Sequence, residues 1–290
     1  MERTTALEQL SLLQKKLYAY HTASAALFLD GETVAPKDTA EGRGVALGIL
    51  AGEAHKLLTA PETGELLAFL ADEKAQLDAR QNRQVELLVR AWKQISRIPA
   101  EEYMEYAMLT NEASDIWHRA KEQDDFALFQ PALEKLVAFN IRFAGYYDST
   151  KAPYDALLNE YERGLTMETL DRFFSVLRER LVPVIRAVGK APQVDDSFLH
   201  KRYPVEIQRK FSDDLMEVLG LDRRHCTIGE TEHPFTLNFN SQDVRITTHY
   251  VEDGLAESMY SVIHEGGHAL YELGVDPAND YTVLAGGSSM

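Results

Sequence analysis

The sequence predicts a mainly α chain: a multi-helix body with a small antiparallel β-sheet set beside one distinctive helix. Three observations carry this. Apolar residues recur every three or four positions through most of residues 1–221. Over 222–252 the texture changes to short β-branched and aromatic runs punctuated by Gly, Pro, Asn and Ser. Helical spacing then returns over 253–274, in "LAESMYSVIHEGGHALYEL". The chain has 290 residues, 45% of them hydrophobic, which is ample for one large core, and 1–290 reads as a single domain.

Each element has its own signal. Leu7, Leu10, Leu13, Leu17 and Tyr20 line one face of a first helix. Similar periodicity marks "LLVRAWKQI" (87–95) and "LEKLVAFNIRFAGYY" (133–147), and Trp92 and Trp117 fall inside apolar patterns as core. Pro99, just ahead of Glu101 and Glu102, marks a helix start, where proline loses no hydrogen bond and acids meet the positive end. Thr166 followed by Glu168 opens "METLDRFFSVLRERL", and Gly189 lies near its end. In the changed region, "FTLNF" (235–239) and "VRITTHYV" (244–251) alternate as strands do. A sheet edge there could take an extended peptide as an added strand.

Composition narrows the function. Lys and Arg number 30 against 46 Asp and Glu, a formal charge of −16. That field repels nucleic-acid phosphates and anionic lipid, so no nucleic-acid or membrane partner is expected. The start, "MERTTALEQLSLLQKK", has no apolar signal core, and no apolar run approaches the ~20 residues that span a bilayer. A single cysteine, Cys226, excludes an internal disulfide. A cytoplasmic location is the expectation.

The chemistry concentrates in H-E-G-G-H, residues 264–268. A helix turns every 3.6 residues, so His264 and His268 share a face and can converge on one metal ion. Glu265 follows the first histidine and can reach a metal-bound water without ligating the ion, which suits a general base and acid. Among 290 residues with nine histidines, a chance H-E-x-x-H match has a probability on the order of a few per cent. A plain surface helix explains Gly266 and Gly267 badly, because two glycines in a helix cost roughly 1.5–2 kcal/mol relative to alanines. A close approach by backbone or substrate would account for them. The third ligand is not apparent. Glu272 lies two turns, roughly 12 Å, from His264, too far for one ion. Asp276 and Asp280, in the following segment, remain open candidates.

Further motifs stand in order: His233-Pro234-Phe235, then Asp243-Val244-Arg245-Ile246-Thr247, then "IHEGGHALYE". With "KAPYDALLNEYERGLT" (151–166) and "DGETVAPKDTAEGRG" (30–44), this set resembles the thermostable (Taq-type) carboxypeptidases over nearly the whole chain. The resemblance implies a zincin-like helical peptidase body, Zn²⁺ with Co²⁺ accepted, and removal of single residues from peptide C-termini. It also implies a cytosolic homodimer in the full-length protein. Family members are longer, and their next motif begins H-E-S after a glycine- and serine-containing loop. Its Glu is their third ligand, and "LAGGSSM" (284–290) is similar to that loop. The expectation is therefore the N-terminal portion of a carboxypeptidase, incomplete at the C-terminus. Its third metal ligand is then expected beyond Met290, and these 290 residues alone should have little or no activity.

Other residues keep two readings. His233 is a turn residue fixed by Pro234 or, by resemblance, part of the substrate groove. Arg245 is a strand charge meeting the acidic surface or, by resemblance, a bidentate contact for the peptide carboxylate. Asp243 and Thr247 read as braces, and His249, Tyr146, Tyr147 and Tyr271 as packing. Two functional alternatives remain: a non-catalytic metal- or peptide-binding helical module, and an H-E-x-x-H endopeptidase.

Overall fold

The fold comes from a computed structural model, which describes residues 1–36 and 38–285. Lys37 and residues 286–290, which hold most of "LAGGSSM", lie outside the described residues. The helices are α1 (Arg3–Thr33), α2 (Ala40–Thr59), α3 (Pro61–Asp72), α4 (Ala79–Ile95), α5 (Ala100–Glu122), α6 (Phe126–Tyr147), α7 (Pro153–Tyr161), α8 (Met167–Val188), α9 (Val205–Val218) and α10 (Leu255–Leu273). Three strands interrupt them: β1 (Cys226–Glu230), β2 (Thr236–Asn240) and β3 (Asp243–Thr248). The predicted class holds, a helical body with a small sheet packed on the last helix.

Local chemistry sets the helix ends. Asp78 caps α4 through the backbone N–H of Gln81, whose side chain answers the Asp78 N–H at 3.1 Å, a reciprocal capping box. Pro99 immediately precedes α5. Thr166 caps α8 by accepting from the Thr169 N–H, and Gly189 follows its last turn.

Three apolar clusters hold the body. Leu10, Leu13, Leu66, Leu70 and Leu88 join α1, α3 and α4, with Trp92 packed against them. Leu109, Phe139 and Phe143 join α5 to α6. Met216, Val244, Ile246, Val262 and Ala269 join α9, β3 and α10. Trp117 is half-buried, stacked edge-on against His118 rather than placed in a core cluster. The far end of the described chain returns to the first helix: the Val283 N–H donates to Gln14 Oε1 at 2.9 Å, and Tyr281 meets Tyr18 edge-to-face at 4.8 Å.

The sheet differs from expectation in one respect. Its order is β1-β3-β2, with β2 antiparallel to β3 but β1 parallel to it, so the sheet is mixed rather than antiparallel throughout. The reason is β1 itself, which the sequence pattern missed. After β1 the chain crosses the end of β3, with the Thr231 N–H bonded to the Thr248 carbonyl, and returns as β2 on the opposite edge. Ser241 and Gln242 then close a tight hairpin into β3. The central strand carries Val244 and Ile246 with no exposed surface.

Candidate metal centre

The buried residues of α10 include Ser258, Val262, Glu265, Ala269 and Glu272, stepping by four, three, four and three. That stripe faces the sheet and α9. Glu265 therefore lies on the buried side of the helix, while His264 and His268 lie beside the stripe and remain exposed. The two imidazoles stand edge-to-face, 4.9 Å between ring centres. Neither ring has another hydrogen-bond partner among the described residues, so their nitrogens are available.

Only 7% of Glu265 is exposed, and no lysine or arginine meets it among the described residues. Thr236 of β2 compensates. Its hydroxyl donates to Glu265 Oε2 at 2.6 Å and lies 3.1 Å from the carbonyl oxygen of the same residue. Two residues on, the same face of β2 presents Asn238, whose amide donates to Glu272. One strand thus grips two buried carboxylates on one helix. Sequence reasoning missed both grips, since 29 and 34 residues separate the partners.

The two glycines have different surroundings. A Cβ on Gly266 would come within 2.6 Å of Leu219 Cδ1 and 3.4 Å of Leu221 Cδ1, so the end of α9 explains its size. A Cβ on Gly267 would meet nothing within 4 Å. The expected close approach exists at Gly266, from a side chain, and is absent at Gly267 among the described residues.

Glu265, His268 and Glu272 open into a cleft of about 1480 Å³. Its walls come from α1, α2, α4, α5, α6, α7, β2, α10 and the 282–285 segment, and they include Tyr18, Tyr103, Tyr106, Tyr147, Tyr161 and Phe235. Tyr147, read from sequence as packing, is thus part of the wall. Burial, reinforced by Glu160, pushes its hydroxyl up to about 12. Arg43 lines the cleft too, held by Asn111 at 2.9 Å.

His233 is exposed and its carbonyl accepts from the Thr231 hydroxyl; it does not line this cleft. Arg245 is gripped by Asp243 through two hydrogen bonds of 3.0 and 2.9 Å and lies 4.3 Å above the Phe239 ring. It too stands off the cleft wall. Thr247 ties the Thr231 hydroxyl and the Phe235 backbone together.

The candidates for a third ligand are engaged elsewhere. Asp276 pairs with Arg80 at 2.8 Å, and Asp280 accepts from the Ser241 N–H and hydroxyl. No group of three His, Cys, Asp or Glu side chains gathers for a metal among the described residues. The pair His264 and His268 fits a divalent ion in donor type, and it supplies two of the three protein ligands usual at a catalytic site.

A family model described as carboxypeptidase Taq (M32) metallopeptidase matches residues 9–290. The chain belongs to this family. "Carboxypeptidase 1" of Bacillus subtilis is 37% identical over 281 residues, covering 96% of this chain and 56% of that protein. "Thermostable carboxypeptidase 1" of Pyrococcus furiosus is 32% identical, covering 98% of this chain and 57% of its own. Among solved structures, the BsuCP crystal structure superposes with a TM-score of 0.95 at 35% identity. The M32 carboxypeptidase of Deinococcus radiodurans does so at 0.83 and 33%. Each structural match covers 98% of this chain and 57% of the longer one. The chain therefore spans little more than half the length of the relatives it matches. A divalent metal and peptide substrates are the family's chemistry. No described helix is long and apolar enough to cross a membrane.

Proposed function

We propose that this chain carries the metal helix and much of the substrate cleft of a metallocarboxypeptidase. The observation that supports this most directly is the pairing of His264 and His268, 4.9 Å apart, with Glu265 facing the same cleft as β2. His264 and His268 would hold a divalent ion, zinc or cobalt by the family resemblance, which when bound would supply Lewis-acid activation of a water and a carbonyl. Glu265, aimed by Thr236, takes a proton from the attacking water and returns it to the leaving amine. The Thr247 N–H bonds the Phe235 carbonyl, so alternation along the ladder leaves the Thr236 and Asn238 main-chain groups to the free edge of β2. An extended peptide pairs there through its own backbone. The carboxylate role of Arg245 and the groove role of His233 rest on the family resemblance. A larger rise in KM for free than for amidated C-termini in Arg245→Ala would support the first. Homodimerisation and a cytoplasmic location rest on the same resemblance.

With two protein ligands gathered, the chain should bind zinc weakly and turn over slowly or not at all. Equilibrium dialysis and a blocked-dipeptide assay, run on the wild type and Glu265→Gln, test this. Stoichiometric zinc after dialysis, with hydrolysis abolished by Glu265→Gln, would show that the site is complete within the chain. Serial loss of C-terminal residues from a long peptide separates a carboxypeptidase from an endopeptidase, which yields internal fragments. Peptide binding with no metal dependence would favour a non-catalytic binding module.

A further inference from the structure

The helix α8 has no buried residue, and its main neighbour is the short α7. Its sequence nevertheless concentrates apolar side chains on one side. Phe173, Leu177, Leu181 and Val184 step by four, four and three, flanked by Phe174 and Ile185. Phe173 is 58% exposed, Val184 55% and Ile185 59%. A helix gains most of its stability by burying such a stripe, and a contiguous apolar patch in water marks a surface made to be covered. Nothing described within this chain covers it.

The length comparison identifies the occupant. The curated relatives align with 96–98% of the chain, and the BsuCP structure superposes on 98% of it, yet the chain accounts for only 56–57% of theirs. We propose that the apolar face of α8 is the seat of the polypeptide that these longer proteins carry outside the matched region. A lipid surface fits poorly. Interfacial helices are rich in Lys and Arg on the polar face, whereas α8 mixes Arg172, Arg178, Arg180 and Arg186 with Glu168, Asp171 and Glu179. The chain's net charge of −16 opposes an anionic bilayer as well. The proposal stands on packing and length, independently of the metal-site reading.

The test titrates the unmatched remainder of the Bacillus subtilis relative, made as a separate polypeptide, into the 290-residue chain. The expected result is a one-to-one complex by calorimetry, with the α8 amides slowed in hydrogen exchange. Phe173→Glu and Leu181→Glu should each weaken it at least tenfold, while Glu179→Gln, on the opposite face, leaves it unchanged. Circular dichroism and cooperative unfolding first establish that the separate remainder is folded, and circular dichroism confirms that the variants keep their helix content. No complex, or one indifferent to both apolar-face substitutions, overturns the proposal. So does a concentration-dependent dimer of the chain that those substitutions disperse, since a second copy would then be the occupant.

Discussion

The two glycines of the metal helix should respond in opposite directions to the same methyl group. Alanine is about 1 kcal/mol more favourable than glycine inside a helix. At Gly267 the added Cβ meets nothing within 4 Å, so Gly267→Ala should keep that whole gain. At Gly266 the Cβ would come within 2.6 Å of Leu219 Cδ1 and press on Leu221. Forcing a packed side chain aside costs about 1–3 kcal/mol, so Gly266→Ala should come out between neutral and about 2 kcal/mol destabilising. Urea unfolding of the metal-free chain, followed by circular dichroism, measures both. With an m-value of about 3 kcal/mol/M, Gly267→Ala raises the midpoint by about 0.3 M at unchanged m. A midpoint that falls for Gly267→Ala, or rises equally for both, would refute the reasoning. It would mean either that the space above Gly267 is filled or that Leu219 yields freely.

Other outcomes follow from the same geometry. Thr236→Val removes a hydrogen bond to a buried carboxylate, worth about 1.5–3 kcal/mol. In the metal-free chain it should lower the urea midpoint by about 0.5–1 M at an m-value of about 3 kcal/mol/M, with Thr236→Ser restoring most of the loss. Equal loss in the serine variant would contradict the hydroxyl's role. Tyr147 has its hydroxyl raised to about 12 by burial, against about 10 in an unfolded chain. The folded state thus favours the neutral phenol: the stabilisation is complete below pH ~10 and is lost as pH rises through 12. Tyr147→Phe should flatten the decline in urea midpoint between about pH 10 and about pH 12. Cys226 has no exposed surface, and burial pushes its thiol up to about 11, so a thiol reagent should label it only in denaturant. Rapid labelling of the native chain would count against the placement of β1.

The sequence revealed most where the deciding interactions are local. The limits of α10 were legible because Gly254 and Gly274 bracket a 3.6-residue pattern. The histidine pair follows from four-residue spacing alone. Asp243 and Arg245, two apart on a strand, necessarily share a face, so their pairing was legible as well. The parallel strand β1 was not, because "CTIGE" alternates only weakly and its pairing is with residues 18 positions away. The grips of Thr236 on Glu265 and Asn238 on Glu272 were likewise hidden, since a threonine and an asparagine in a strand announce no partner. Tyr147 entered the cleft wall for the same reason: a helical aromatic looks alike whether it faces a core or a cavity.

The tie between Val283 and Gln14 has a consequence for biosynthesis. The hydrogen bond closes a span of 269 residues, the longest separation among the side-chain hydrogen bonds of the described residues. A ribosome adding about 5–20 residues per second needs about 15–50 s to make the partner that α1 awaits. Until then, one wall of the cleft has its first helix but lacks the strand and tail that face it. The helices α1, α3 and α4 can settle early around their own leucines. The cavity cannot close until synthesis of the described chain is nearly finished, so the nascent protein is a folded scaffold well before it has a place to bind anything.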